Sequence, residues 1–443
     1  MMKPAKIESS DSLQSSEEFE VPEGWAYKKL GEIVSPSKEK IEPTADSNIP
    51  YIGLEHIESN TSKITGHGIA SEARSTKTVF HSGDVLYGKL RPYLNKVTIP
   101  DFDGVCSTDI LVFNQNQIID SRYLMRFLST REVVEYANLK SKGISLPRVN
   151  FESLAEIPIP LPSFADQQRI VARVEALLTH VNAARERLSR VPLIMKRFRQ
   201  AVLAAACSGR LTEGWREDHR KEIEFSNNSI EHVELYEIPM QWKWVLLPKL
   251  GFMKRGRSKN RPRNAPHLFG GKYPFIQTGD ISQSGGRITS HHQTYSEEGL
   301  AQSKIWPEKT ICITIAANIA ESAILTYPAC FPDSVVGFIA DDTRCSPEYI
   351  EYFMRLAKRD LSQFAPATAQ KNINIEILNE VAVPLPPLAE QHEIVRRVGL
   401  LFERADAIDR EVVAASRRCE RLTQAVLGKA FRGELVGRDN AKL

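Results

Sequence analysis

The chain has 443 residues, 42% hydrophobic and 26% charged, a balance that lets a soluble polypeptide bury more than one core, so two to four domains are expected. No run reaches the roughly 20 apolar residues that span a bilayer, and the first 20 residues are polar and acidic without a signal peptide's apolar centre, so a cytoplasmic location without a membrane partner is expected. Six cysteines without a Cys-x-x-Cys pair argue against a disulfide framework or a structural zinc, while a formal charge of +3 neither requires nor excludes nucleic acid.

In chain order, residues 1–20 read as a disordered tail. Residues 21–160 read as a globular part, with strands around Tyr51 to Ile57, Asp84 to Lys89 and Val105 to Phe113, then a helix from Arg122 to Leu139. Residues 161–215 carry Ile170, Val174, Leu177, Val181, Ala184, Leu188, Val191, Met195, Phe198 and Val202 at alternating steps of four and three. That 3.5-residue period marks a left-handed coiled-coil seam. Ser163 with Asp166 forms a capping-box pattern at its start, and Gly209 stands where a glycine cap belongs. Pro192 lies inside, where proline costs about 3 kcal/mol, and predicts a kink or an in-phase restart.

The polar stretch 216–235 reads as a linker. Residues 236–384 form a second globular part, with strands around Pro274 to Ile281, Thr310 to Ala316 and Ser334 to Ala340 and a helix from Pro347 to Phe364. Residues 385–436 return to heptads through Ile394, Val398, Leu401, Ala405, Ile408, Val412, Ala415, Cys419, Leu422 and Val426, with Gly433 as the cap and 437–443 as a tail.

The second half repeats the first. Residues 157–211 align without a gap on residues 381–435, with 19 identities in 55 positions at a constant offset of 224. Upstream only a skeleton persists: Pro22 and Trp25 against Pro239 and Trp242, Pro50-Tyr51-Ile52 against Pro274-Phe275-Ile276, Tyr123 against Tyr349, Asn150 against Asn374. The expected fold class is therefore α+β: two globular mixed α/β parts joined by two long helices that form an antiparallel coiled coil, with an internal pseudo-two-fold repeat. A helix of about 44 residues runs roughly 65 Å at 1.5 Å per residue, which makes the pair a ruler with a head at each end.

No catalytic pattern stands out. There is no Gly-x-Gly-x-x-Gly, His-Glu-x-x-His, Gly-x-Ser-x-Gly or amino-methyltransferase run, and Gly251-x4-Gly256-Arg257-Ser258 has arginine where a phosphate loop needs lysine. His291-His292 lacks a third metal ligand. Basic residues are what suit a ligand. Lys254, Arg255, Arg257, Lys259, Arg261 and Arg263 place six positive charges in ten residues with no acid, a pattern for phosphate contact. The first part offers Lys89, Arg91, Tyr93, Asn95 and Lys96, beside Lys63, Arg74, Lys77 and Arg148. Amide and hydroxyl side chains at or near strand ends, Asn95, Gln277, Thr278, Asn318 and Gln370, are candidates to read base edges, with Lys371 beside Gln370 as a further DNA contact.

The layout resembles the specificity subunit of type I restriction-modification systems. The carriers are Leu161-Pro162-Ser163-Phe164-Ala165-Asp166-Gln167 with Gln200-Ala201-Val202-Leu203, Leu385-Pro386-Pro387-Leu388-Ala389-Glu390-Gln391 with Gln424-Ala425-Val426-Leu427, and the run Gly88-Lys89-Leu90-Arg91-Pro92-Tyr93-Leu94-Asn95-Lys96. The resemblance covers residues 21–436. It implies that residues 21–160 and 236–384 are target-recognition domains, each reading one half of a bipartite site in double-stranded DNA, with 161–215 and 385–436 as helical spacer regions that set the gap. It also implies a non-catalytic chain holding no cofactor, partnered by two modification subunits that bring S-adenosylmethionine and two restriction subunits that bring ATP and Mg. The second copy has Thr314-Ile315-Ala316-Ala317-Asn318 in place of the Gly88–Lys96 run, so DNA-facing residues do not carry over from the first. The alternatives are a coiled-coil adaptor with two peptide-binding heads, or an enzyme with a degenerate site.

Overall fold

The computed structural model describes residues 24–44, 46–72, 75–219, 236–258, 262, 265–316, 320–363 and 375–435. The two expected tails and most of the linker, 220–235, lie outside the described residues.

The chain divides into two compact units, one of Met1–Ser189 with Val413–Leu443 and one of Arg190–Val412. Each unit thus combines one globular part with the first half of the long helix that follows it and the second half of the other long helix. The long helices are Phe164–Cys207 and Leu388–Phe431, each of 44 residues. The first runs unbroken through Pro192, so no restart occurs there.

In the first unit, Ala26–Lys29 pairs antiparallel with Pro158–Leu161, Ala26 facing Leu161. A five-stranded sheet takes the order Lys40–Ile41, Lys77–Phe80, Gly104–Cys106, Pro50–Ile52, Gly68–Ile69, and a three-stranded sheet the order Val97–Thr98, Val85–Gly88, Ile110–Phe113. Tyr123, Phe127 and Leu128 pack with Ile170, Val171, Val174 and Leu178 of the first long helix and with Leu427, Ala430 and Phe431 of the second. The single helix expected from Arg122 to Leu139 is two, Ser121–Leu128 and Arg131–Lys140. The break comes from competing caps. Asp120 accepts the N–H groups of Arg122 and Tyr123 at 2.9 and 3.1 Å, and Thr130 accepts that of Val133 at 3.5 Å, so Thr130 starts a new helix inside the expected one.

The second unit repeats this plan. Lys243–Leu246 pairs antiparallel with Ala382–Leu385, and a five-stranded sheet takes the order Gly251–Arg255, Val335–Ala340, Ile311–Thr314, Ser322–Leu325, Arg287–Ile288. Helix Pro347–Gln363 presents Tyr349, Ile350, Phe353 and Met354 to a core that includes Val202, Leu203, Ala206 and Cys207 of the first long helix and Ile394 and Val398 of the second. The strand expected over Pro274 to Ile281 ends at Phe275, and Thr278–Gln283 is helical. Asp280 causes the change, because its carboxylate accepts the Gln277 N–H at 2.8 Å and nucleates a helical turn.

Within each unit the long helices run antiparallel. In the second, Arg397 donates to the Leu211 carbonyl at 2.8 Å while Arg199 reaches Asp409 at 2.8 Å, so residue numbers fall on one helix as they rise on the other. In the first, Arg185 donates to Thr423 Oγ1 at 3.3 Å, and Leu427–Phe431 packs further back, at Ile170–Leu178. Of the expected seam, Ile170, Val174, Val202, Ile394 and Val398 are buried, and Val181, Leu188, Phe198, Leu401, Val412 and Val426 are half-buried. Leu177, Ile408 and Leu422 are 37%, 44% and 54% exposed, which corrects their assignment to the seam. Near the first globular part the helix packs on a domain core as well as on its partner helix. The buried face there widens to Ile170, Val171, Val174 and Leu178, the spacing of a 3.6-residue helix, and Leu177 turns off it.

Candidate nucleic-acid interface

One buried glutamine fixes each globular part to its long helix. Gln167 is fully buried; its Oε1 accepts the Asp120 N–H at 2.8 Å and its amide donates to the carbonyls of Ile118 and Pro162 at 3.0 and 3.1 Å. Gln391 does the same: Oε1 accepts the Ser346 N–H at 2.8 Å, and the amide donates to the Arg344 and Pro386 carbonyls at 3.2 and 2.9 Å. Asp120 and Ser346 each stand at the start of the unit's domain helix, so one side chain joins the loop before that helix to the loop before the long helix. Tyr123 completes the joint by donating to the Pro160 carbonyl at 2.7 Å, and Tyr349 donates to that of Pro384. Burial pushes the phenol of Tyr349 well above its ordinary value, so it stays a donor. The Leu-Pro-x4-Gln pattern is therefore a structural joint, and it holds each globular surface in a fixed relation to the helices of its own unit.

On the first unit's surface, Lys63, Arg91 and Tyr93 are exposed and Lys89 is half-buried. Arg91 and Asn95 both adopt the left-handed conformation, with φ of 52° and 46°. This lets the Arg91 N–H bond the Pro147 carbonyl at 2.7 Å, and in the turn between Arg91 and Asn95, Pro92 is buried and Tyr93 exposed. Arg148 forms a bidentate pair with Asp109 at 2.8 and 3.1 Å, and that contact raises its already high pKa. Three expected contact residues are turned inward. Asn95 is 7% exposed and its amide donates to the Ser129 carbonyl at 3.3 Å. Lys77 is 8% exposed, donates to Ser75 Oγ at 2.6 Å and lies over the Tyr51 ring. Lys96 donates to the Leu54 carbonyl at 2.5 Å. For Asn95 and Lys77 the expectation of a surface role is corrected: residue type suggests recognition, but packing at the end of helix Ser121–Leu128 and beside Tyr51 turns both inward, where the Asn95 amide N–H and the Lys77 ammonium find internal partners. Arg74 lies outside the described residues.

In the second unit, Lys254, Arg255 and Arg257 are exposed on and just after the edge strand Gly251–Arg255. The Arg255 guanidinium is fixed by two bonds to the Asp333 carbonyl, at 3.0 and 2.9 Å. Arg257 N–H bonds the Phe331 carbonyl at 3.2 Å, and Ile276 N–H bonds the adjacent Cys330 carbonyl at 2.8 Å. The basic edge and the turn at Gln277 therefore hang on the same short segment. Gln277 is exposed and Thr278 half-buried. Lys259, Arg261, Arg263, Asn318, Gln370 and Lys371 lie outside the described residues. Sequence reasoning passed over Gln293, which bonds Gln277 at 2.8 Å. A long side chain on a short strand carries no sequence signal of such a partner.

Among the described residues no cluster of His, Cys, Asp or Glu could hold a metal ion, and no helix is long and apolar enough to cross a membrane. All six cysteines are buried, and burial pushes Cys106 and Cys345 up to about 12, which leaves these thiols protonated at neutral pH.

Comparison with known proteins matches two segments, residues 22–191 and 249–410, to one family, described as the type I restriction modification DNA specificity domain. The chain is similar to the specificity subunit of the type I restriction enzyme EcoDI of Escherichia coli, 28% identical over 431 residues that cover 95% of this chain and 91% of the relative. It is 32% identical over 318 residues to the EcoBI specificity subunit of Escherichia coli, across 69% of this chain and 64% of that one. In fold it is similar to a solved chain from a study of complex assembly and conformational transition of the type I R-M system, with a TM-score of 0.72 and 24% identity over 94% of this chain and 99% of the other.

Proposed function

The chain belongs to the type I restriction-modification DNA specificity family, and on that premise we propose how it performs the recognition for which the family is named. Each unit reads one half of a bipartite site in double-stranded DNA, through the face carrying Lys63, Arg91 and Tyr93 in the first and the face carrying Lys254, Arg255, Arg257 and Gln277 in the second. The antiparallel helices set the unread gap. The observation that carries this reading is that the same glutamine joint recurs in both units beneath surfaces whose exposed residues differ. A repeated frame under two different surfaces is what reading two different half-sites from identical partner subunits requires.

Phosphate contacts by lysine and arginine fix register, and amides facing the grooves choose bases. The chain is the non-catalytic member of the complex. Two modification subunits supply S-adenosylmethionine and take the target adenine out of the stack; two restriction subunits supply ATP- and Mg-dependent cleavage.

Methylation-sensitive sequencing of DNA from cells expressing the chain with its modification subunit, against cells expressing that subunit alone, tests the proposal. A two-part methyl-adenine motif with a fixed gap, present only with this chain, supports it. A soluble complex with an active modification subunit that produces no new motif contradicts it.

A further inference from the structure

The polar turn that follows strand Phe269–Phe275 is built around one buried carboxylate. Asp280 is 8% exposed, and its two oxygens do different work: Oδ2 accepts the Gln277 N–H at 2.8 Å, and Oδ1 lies 2.5 Å from His292 Nδ1. Gln277 and His292 belong to separate segments. The ladder between Phe269–Phe275 and Gln293–Tyr295 sets Gln293 directly opposite Phe275, two residues before Gln277. Asp280 thus clamps together the two segments that carry the two exposed glutamines, and their side chains bond each other, Gln277 Nε2 donating to Gln293 Oε1 at 2.8 Å.

That bond decides what the pair can offer. An isolated glutamine rotates freely and presents donor and acceptor in any direction. Here one N–H of the Gln277 amide is held by Gln293 Oε1, which fixes both side chains; Gln277 Oε1 then offers an acceptor and Gln293 Nε2 a donor from one coupled pair. An acceptor beside a donor matches the major-groove edge of adenine, which shows an amino donor at N6 and an acceptor at N7. The basic edge that includes Arg257 is anchored one residue away on the same segment, at Phe331 against Cys330, which supplies phosphate-contacting charge next to the amide pair.

We propose that Gln277 and Gln293 act as a single coupled reader of one adenine in the half-site recognised by the second unit, with Asp280 as the positioning residue; this rests on the reading that the unit recognises DNA. The first unit uses the equivalent turn differently. There Gly53 N–H is capped by His56 Nδ1 at 3.0 Å, and glycine has no side chain to offer, so the amide reader belongs to the second half-site alone.

The test uses the complex of the full chain with its modification subunits. The half-sites are taken from its methylation motif, and affinities are then measured for duplexes substituted at each position in turn. Gln277→Ala and Gln293→Ala each reduce discrimination at one and the same A·T pair by roughly 5- to 100-fold, and the double variant loses no more than the larger single loss, because either change dismantles the pair. Asp280→Asn weakens discrimination at that same pair while affinity for unrelated DNA stays unchanged, which a general loss of folding would not produce. Single variants that alter different base pairs, add independently, or leave the wild-type motif intact would overturn the inference while leaving the function standing. A wild-type complex that yields no two-part motif would instead overturn the reading beneath it, and this inference with it.

Discussion

The two units close the start of their long helices with the same glutamine but with different acids. In the second unit, Glu390 is fully buried and accepts from Thr212 at 2.6 Å, Arg216 at 2.5 Å and Trp242 at 2.9 Å. In the first, the corresponding Asp166 sits near the surface, bonded to Ser163 at 2.7 Å and paired with Arg169. The glutamine joint has the same geometry in both because its partners are backbone groups, which any sequence supplies. The acid differs because its partners are side chains, and Thr212 and Arg216 lie beyond the end of the first long helix. The lesson is that a frame made of side chain to backbone bonds can be duplicated and kept while everything carried on side chain to side chain contacts diverges around it.

The widest gap between the units is expected at those acids. Glu390→Ala leaves the Arg216 guanidinium, 11% exposed, without its carboxylate and is expected to cost about 3–5 kcal/mol, whereas Asp166→Ala removes a near-surface ion pair and hydrogen bond and costs about 1 kcal/mol or less; denaturant unfolding of the purified chain reads both. Equal losses would break the comparison. The glutamines are expected to behave alike instead. Gln167→Ala and Gln391→Ala each leave three backbone groups without their partner, some of them buried, at about 2–4 kcal/mol for each variant, and proteolysis should open the affected unit in each case. A silent variant at either position would show that the joint is not shared in energy as it is in geometry.

A third contrast is in pH. Burial pushes Glu351 of the second unit up to about 8, with Arg355 and Ser322 pulling the other way. The folded unit therefore holds a proton that the unfolded chain releases near 4.5. Its contribution to stability is full below that value and is lost as the pH rises through about 8. Stability of the second unit should fall across this window, and Glu351→Gln should flatten the fall. The smallest effect is on DNA. Replacing Lys254, Arg255 and Arg257 with glutamine should lower the salt slope of binding by about 3, near 0.9 per phosphate contact, with no change in the bases preferred.

Much of this is legible in the sequence. The 224-residue offset exposes the duplication, and the heptads give two helices whose observed length of 44 residues matches the periodic run. Periodicity does not reveal where a helix exchanges a partner helix for a domain core, so the heptad phase points to Leu177 where the structure buries Leu178. Nor could it reveal that Thr130 outcompetes helix continuation. At the candidate interface, residue type marked Lys254, Arg255, Arg257 and Gln277, which are exposed, but the same reasoning chose Asn95, whose amide is used by the Ser129 carbonyl. Direction is set by tertiary packing, and an amide that points inward has the same letter as one that points outward. Gln293 was missed for the complementary reason: its significance lies in its partner 16 residues away.

The central claim is that two equivalent frames carry independent reading surfaces. Its most direct test replaces residues 247–381, which lie between the paired strands of the second unit, by the matching segment of a relative with a different motif, and determines the methylation motif of the resulting complex by sequencing. The account predicts that one half of the motif changes to that of the donor while the other half and the gap stay as they were. A change in both halves, or in the gap alone, would contradict it.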